Sequence, residues 1–205
     1  MSIKGVAFDF GKVICFPPED DGSLEELAGM AGMDRKAFEA LLWPARNEYD
    51  RGTISGVEYY RNFLAKAGVF PDEETLKKMV VIDSASWTRI NPGTVRLMED
   101  VKKAGLKLGI LSNMPHEFLA MARKQFPVFS LPHAGVFSCE SASIKPEEKI
   151  YRDCCAALRL EPDELVFFDD MPVNIEAACS LGMHGFVWRD PDAARETLRM
   201  LSIPV

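Results

Sequence analysis

The sequence predicts an α/β protein, a doubly wound parallel sheet with a small helical segment inserted behind its first strand. Two patterns carry this expectation. From about residue 90 onward, short apolar runs alternate with amphipathic stretches; strands alternating with helices of roughly 10–15 residues build a parallel sheet covered on both faces. Residues 3 to 9 fit the same scheme as a first strand, whereas residues 16 to 89 are helical by period. The predicted division is a core of residues 1–15 and 90–205 and a helical subdomain of 16–89. A chain of 205 residues has room for one such core and a modest insertion.

The elements follow in order. In "GVAFDF" an apolar run, Val6 to Phe8, delivers a carboxylate, Asp9. The inserted block reads as "SLEELAGMAG", "DRKAFEALLWPARNEYDRG", "SGVEYYRNFLAKAG" and "DEETLKKMVVIDSASW", separated by Gly, Pro and Asp breaks. A helix from Thr94 to Ala104 stops at Gly105; "LKLGILSN" is a strand, and a helix begins after Pro115. "AGVFSCE" reads as a short strand and "KPEEKIYRDCCAALRL" as a helix opened by Pro146, with Glu147 and Glu148 in its first turn. "ELVFFDD" is a buried strand, "PVNIEAACSLG" a helix closed by Gly182, and "HGFVW" the last strand before a C-terminal helix.

Composition narrows the function classes. A formal net charge of -7 repels polyanions, which argues against sequence-independent nucleic-acid binding. No apolar stretch approaches the roughly 18 residues of a membrane helix, and "MSIKGVAFDFG" lacks the layout of a signal peptide. The five cysteines, Cys15, Cys139, Cys154, Cys155 and Cys179, lack CxxC spacing and read as buried reduced thiols. A cytoplasmic protein is the expectation, as a monomer or homodimer. His116, His133 and His184 have no metal-ligand spacing, and there is no G-x-S-x-G, G-x-G-x-x-G or P-loop pattern.

Polar residues gather where the predicted strands end: Asp9 after strand one, Ser112 and Asn113 after "LGIL", Lys145 after "CESASI", and Asp169 and Asp170 after "LVFF". In an open α/β sheet that edge is where ligands bind. Three carboxylates without a nearby His or Cys make an oxygen-rich site that suits Mg²⁺ rather than zinc. A carboxylate can attack phosphorus and form an aspartyl-phosphate. The transferred group then needs donors, an ammonium and a cation around its oxygens; Ser112, Asn113 and Lys145 can supply the first two. Each residue also has an ordinary alternative. Ser112 can cap a helix, Lys145 can be a loop lysine, the two Asp can complement a helix dipole, and Asn174 can be a surface asparagine.

The stretches "FDFGKVI", "LSNMP", "SIKPEEKIY" and "FFDDMPVNIEAA" resemble the four ordered motifs of the haloacid dehalogenase superfamily, spanning residues 8 to 178. The inserted block, with "YDRGTIS", resembles the small helical cap of its sugar-phosphate phosphatase branch, and the core its Rossmann-like sheet. The resemblance implies Asp9 as nucleophile, Ser112 as phosphate-binding residue with Asn113 beside it, and Lys145 as the neutralising lysine. It implies Asp170 as metal-binding acid with Asp9 and the carbonyl of Gly11. Asp169 would assist the metal or pair with Lys145, and Asn174 would orient the loop. The implied substrate is a small-molecule phosphate ester and the implied cofactor Mg²⁺. Trp43, Arg46, Tyr49 and Arg51 are candidate substrate contacts from the cap, against the alternatives of core packing or solvated ion pairs.

Gly11 departs from the family pattern, in which most phosphatases carry a second Asp there to protonate the leaving oxygen and activate water. Such acid–base help is worth about 10²–10⁴-fold. Three readings stand: a phosphatase that needs no such acid or takes it from water or the cap, a 2-haloacid dehalogenase, and a binding or regulatory protein without turnover. Lys12 either points to solvent or brings its ammonium near the leaving group.

Overall fold

The computed structural model describes residues 2–17 and 22–205. In chain order, β1 (Gly5–Phe8) is followed by five helices, α1 (Ser23–Met30), α2 (Arg35–Leu42), α3 (Asn47–Asp50), α4 (Gly56–Lys66) and α5 (Glu73–Ser86). The alternating part then runs α6 (Pro92–Lys103), β2 (Lys107–Ser112), α7 (His116–Gln125), β3 (Ala134–Phe137), α8 (Ser138–Ser141), α9 (Glu148–Leu158), β4 (Leu165–Asp169), α10 (Pro172–Ser180), β5 (His184–Val187) and α11 (Pro191–Met200). All strand pairings are parallel, in the order β3-β2-β1-β4-β5. From β1 the chain winds outward to β3, then returns to the other side of β1 as β4. That reversal opens a crevice at the C-terminal ends of β1 and β4, where an open α/β sheet binds ligands.

Alternate side chains of the strands enter two different cores. Val6, Phe8, Leu108, Ile110, Val166 and Phe168 pack against α6, α7 and α11 through Leu97, Met98, Phe118 and Leu198. Ala7, Leu111, Leu165 and Phe167 face α9 and α10, meeting Ile150, Tyr151, Cys154 and Ala178. Both faces are therefore covered, and β1 reads as a continuous apolar run because none of its four residues meets solvent.

Helices α1 to α5 build a third apolar cluster of their own around Phe38, Tyr49, Tyr59, Phe63 and Met79. The rings of Tyr49 and Tyr59 stack at 4.9 Å. Local chemistry sets the helix starts: Asp34 and Asp72 accept backbone N–H bonds ahead of α2 and α5, and Ser55 with Glu58 forms a reciprocal capping box on α4. The segments entering and leaving this block run side by side, with Phe16 N donating to Arg89 O and Asn91 N to Ile14 O, both at 2.8 Å. No helix among the described residues is long and apolar enough to cross a membrane.

The structure departs from the sequence expectations in four places. "DRKAFEALLWPARNEYDRG" is two helices, because Pro44 has no N–H to continue α2 past Leu42. The helix expected from Pro146 starts at Glu148. The Glu147 carboxylate is committed to the preceding loop, accepting from Ser143 Oγ at 2.8 Å and Ile144 N at 3.3 Å. In "AGVFSCE" only Ala134–Phe137 is strand, and Ser138–Ser141 is a helical turn. Cys179 is exposed, while the other four cysteines are buried and no disulfide links any of them.

The sheet's central packing gives a stability prediction. The ring of Phe168 lies 5.5 Å from that of Phe8 and 6.0 Å from that of Trp188. Phe168→Ala is expected to cost about 3–5 kcal/mol in urea unfolding. Phe70→Ala, at a side chain 79% exposed, is expected to stay within about 0.5 kcal/mol of the unaltered protein.

Candidate active site

The end of β1 delivers Asp9 into the crevice, and the end of β4 delivers Asp169 beside it. Lys145 Nζ sits between them, 2.8 Å from Asp9 Oδ1 and 2.6 Å from Asp169 Oδ2, with its side chain only 1% exposed. Asp169 is held on every side: its carboxylate also accepts from Met171 N at 2.8 Å and from Asn174 Nδ2 at 2.9 Å. Asn174 is itself buried, not a surface asparagine. Asp9 accepts from its neighbour Phe10 N at 2.7 Å, and the Ser112 hydroxyl lies close enough to favour its charged form.

Burial dominates the electrostatics. It pushes the Asp9 carboxyl up to about 7, with the Lys145 ammonium pulling the other way. For Lys145, burial favours the neutral amine, but Asp9 and Asp169 outweigh it and hold the ammonium above its ordinary range. Asp170 is displaced upward by burial and by the charge of Asp169; its carboxylate lies 4.0 Å from Lys12 Nζ, which is half-exposed at the cavity edge. Lys12 adopts φ 60°, in the left-handed region, within the turn that follows the strand.

Asn113 has a structural task that the sequence did not suggest. Its amide brackets the backbone of Lys145, donating to the carbonyl at 3.1 Å and accepting from the N–H at 2.8 Å. Its side chain thus clips the end of β2 to the Lys145 loop, and Asn113 also lines the cavity.

Asp9, Asp169 and Asp170 bring one oxygen each within 4.8 Å of one another. The oxygens of Asp169 are already engaged by Lys145, Met171 and Asn174, so Asp9 and Asp170 have lone pairs to spare. Hard carboxylate oxygens of this kind fit Mg²⁺. Gly11 lies beside them in the cavity wall.

Above this floor lies a cavity of about 420 Å³ that the helical segment closes with Trp43, Arg46, Asn47, Asp50 and Trp87. Trp87 fills the space beside Gly11: a Cβ there would stand 3.2 Å from Trp87 Cζ3. Trp87 meets Trp43 edge-on at 6.4 Å. The Arg46 guanidinium lies between two acids, with Nε 3.1 Å from Asp50 and Nη1 3.1 Å from both oxygens of Asp83, over the ring of Tyr49. Of the four candidate contacts, Trp43 and Arg46 line the cavity. Tyr49 is buried in the helical cluster, and Arg51 is spent on Glu147 at 2.7 Å.

The segment bearing Asp50 is fastened to the sheet's edge. Ser138 Oγ donates to the Asp50 carbonyl and accepts from Met114 N, and Gly56 N donates to Glu117. Gly52 has φ 79°, and a Cβ there would stand 2.7 Å from His116 Nε2, so only glycine allows this approach. Sequence reading missed Asp50, Asp83 and Trp87. Asp50 stood in plain view within "YDRG", but nothing local linked it to residues 83 and 87.

Comparison with known proteins agrees with this geometry. The family model of haloacid dehalogenase-like hydrolases matches residues 3–182. A chloroplast flavin mononucleotide hydrolase of Arabidopsis thaliana is 25% identical over 77% of this chain. The chain spans 62% of that hydrolase's length and as little as 12% of another curated relative. A haloacid dehalogenase family enzyme of Bacteroides thetaiotaomicron, solved with magnesium and inorganic phosphate, superposes with a TM-score of 0.73, covering 92% of this chain and 96% of its own at 18% identity. An L-2-haloacid dehalogenase superposes at 0.75 over 98% of this chain and 100% of its own, at 16% identity. At such identities the two structures speak for the fold alone. The matched family model, which covers most of the chain, makes it a member of the haloacid dehalogenase-like hydrolases.

Proposed function

We propose that the chain is a Mg²⁺-dependent phosphatase that hydrolyses a small phosphorylated metabolite through an aspartyl-phosphate on Asp9, with residues 16–89 acting as a cap over the site. The observation that carries this reading is the Lys145 ammonium shared between Asp9 and Asp169 at the floor of a cavity roofed by the helical segment. A phosphoryl group placed against Asp9 meets that ammonium and the Ser112 hydroxyl, the donors its equatorial oxygens need. Asp169 and Asn174 act by holding Lys145 in place. Charge supports a metal. Asp9, Asp169 and Asp170 stand against Lys12 and Lys145, which leaves no surplus positive charge for a phosphate dianion. Asp9 and Asp170, with the Gly11 carbonyl, would hold Mg²⁺, which when bound polarises the phosphoryl group and offsets its charge.

In this reading an oxygen of Asp9 attacks phosphorus, the ester oxygen departs toward the cap, and water then cleaves the aspartyl-phosphate. The Arabidopsis relative is named for hydrolysis of a phosphorylated cofactor, which favours a phosphate ester over a haloacid. The adjacent acids Asp169 and Asp170 favour it too, because halide departure from carbon calls for no metal. A sugar phosphate remains the substrate class suggested by the first motif.

Phosphate release from a panel of esters, with Mg²⁺ or with chelator, tests the reading. Release is expected to require the metal and to fall on the order of 10⁴-fold in Asp9→Asn. Chloride release from chloroacetate without any phosphate release would turn the reading toward a dehalogenase. Phosphate binding without release from any ester would leave a binding protein.

Gly11 gives a second prediction. Gly11→Asp must displace the Trp87 ring and is expected to cost about 1–3 kcal/mol of stability. Combined with Trp87→Leu, the cost should be smaller than the sum of the two single changes in urea unfolding. Strict additivity would mean that the ring does not fill the missing acid's space.

A further inference from the structure

We propose that Asp50 serves as the proton donor to the leaving group and then as the base toward the hydrolytic water, in place of the acid that Gly11 lacks. The proposal rests on the phosphatase reading above and identifies where its missing acid comes from.

Two features of the cavity point to this residue. The first is placement. Asp50 lines the same cavity as Asp9 and Lys145, but from the helical segment, the side toward which an ester oxygen leaves. The contacts of Ser138 with the Asp50 carbonyl and of Arg51 with Glu147 fix that turn against the loop carrying Lys145. The second is the charge count around Arg46. Two carboxylates share one guanidinium in a largely dry pocket, so the group carries one negative charge too many unless a proton is retained. Asp83 is 5% exposed and takes two contacts from Arg46; Asp50 is 15% exposed and takes one. Asp50 is thus the acid able both to keep the extra proton and to exchange it with the cavity.

The groups around it fit that task. Burial pushes the Asp50 carboxyl up to about 6, opposed by Arg46 and supported by Asp83 from α5, with Lys145 of the core also opposing. Tyr49, Tyr59 of α4 and Cys139 of α8 also feel its charge, and His116 and Glu117 of α7 pack on the same turn. An acid poised near neutrality can act in both half-reactions. In the first, the Asp9 oxygen–phosphorus bond forms, the phosphorus–ester oxygen bond breaks, and the departing oxygen takes the Asp50 proton. In the second, the Asp50 carboxylate takes a proton from water as its oxygen joins phosphorus and the bond to Asp9 breaks, so both aspartates return to their starting states.

Leaving-group dependence tests the proposal. 4-Nitrophenyl phosphate expels a phenolate that needs no proton, whereas glycerol phosphate expels an alkoxide that does. Asp50→Asn is expected to lower kcat/KM for glycerol phosphate by about 10²–10⁴-fold, and for the aryl ester by less than about 10-fold. The aryl ester should also show a burst of nitrophenol ahead of phosphate, because the base for the second step is gone. Partial unfolding scales both esters alike, so the ratio isolates the proton transfer. Asp83→Asn removes the charge that helps keep the proton on Asp50, so it should shift the alkaline limb of glycerol phosphate hydrolysis to lower pH while leaving the aryl ester little changed. Equal losses on both esters in Asp50→Asn, or a selective alkyl-ester loss in Lys12→Met instead, would overturn the assignment. Release from neither ester by the unaltered protein, or undiminished release in Asp9→Asn, would sink the phosphatase reading itself, and Asp50 with it.

Discussion

A single buried ammonium organises the working end of this protein. Lys145 is buried and relies on Asp9 and Asp169, which in turn rely on it. Charges so placed are costly to bury and cost more still when one partner is removed. The fold is arranged to keep all three together. The sheet order brings the ends of β1 and β4 side by side, Asn113 clips the Lys145 backbone to the end of β2, and Asn174 reaches back from α10 to Asp169. Four chain segments far apart in sequence are therefore committed to one ion cluster of a few ångströms.

The helical segment repeats the same motif in a second place. Arg46 between Asp50 and Asp83 is again one cation between two acids, here at the roof rather than the floor. Trp87 and Trp43 line the cavity between roof and floor, and Trp87 occupies the room that a side chain at Gly11 would take. The first motif and the helical segment are thus complementary: a residue without a side chain in one is matched by an indole from the other. In the proposed mechanism, acid–base work moves with that exchange from floor to roof.

Much of this was legible in the sequence because it follows from local pattern. Each core strand is an apolar run closed by a polar residue, so β1, β2 and β4 could be placed with Asp9, Ser112, Asp169 and Asp170 at their ends. Lys145 was legible as a lone lysine between two predicted elements. What could not be read was set by packing across long separations. Asp50 and Asp83 lie on different helices and acquire meaning only through Arg46. Trp87 looks like a helix-end tryptophan until α5 brings it over Gly11. The hold of Asn113 on the Lys145 backbone was hidden for the same reason, since the two stand far apart in the chain. The start of α9 shifted for a similar reason, since Glu147 bonds backward into its own loop instead of joining the helix.

Identification of the phosphorylated residue tests the central claim most directly. The protein would be mixed with a phosphate ester carrying labelled phosphorus in the presence of Mg²⁺, quenched in acid within the first turnover, and cleaved for peptide mapping. The account predicts an acid-stable, hydroxylamine-labile label on the peptide containing Asp9. Label on the peptide containing Asp169 and Asp170, or release of phosphate with no labelled protein at any time, would contradict it.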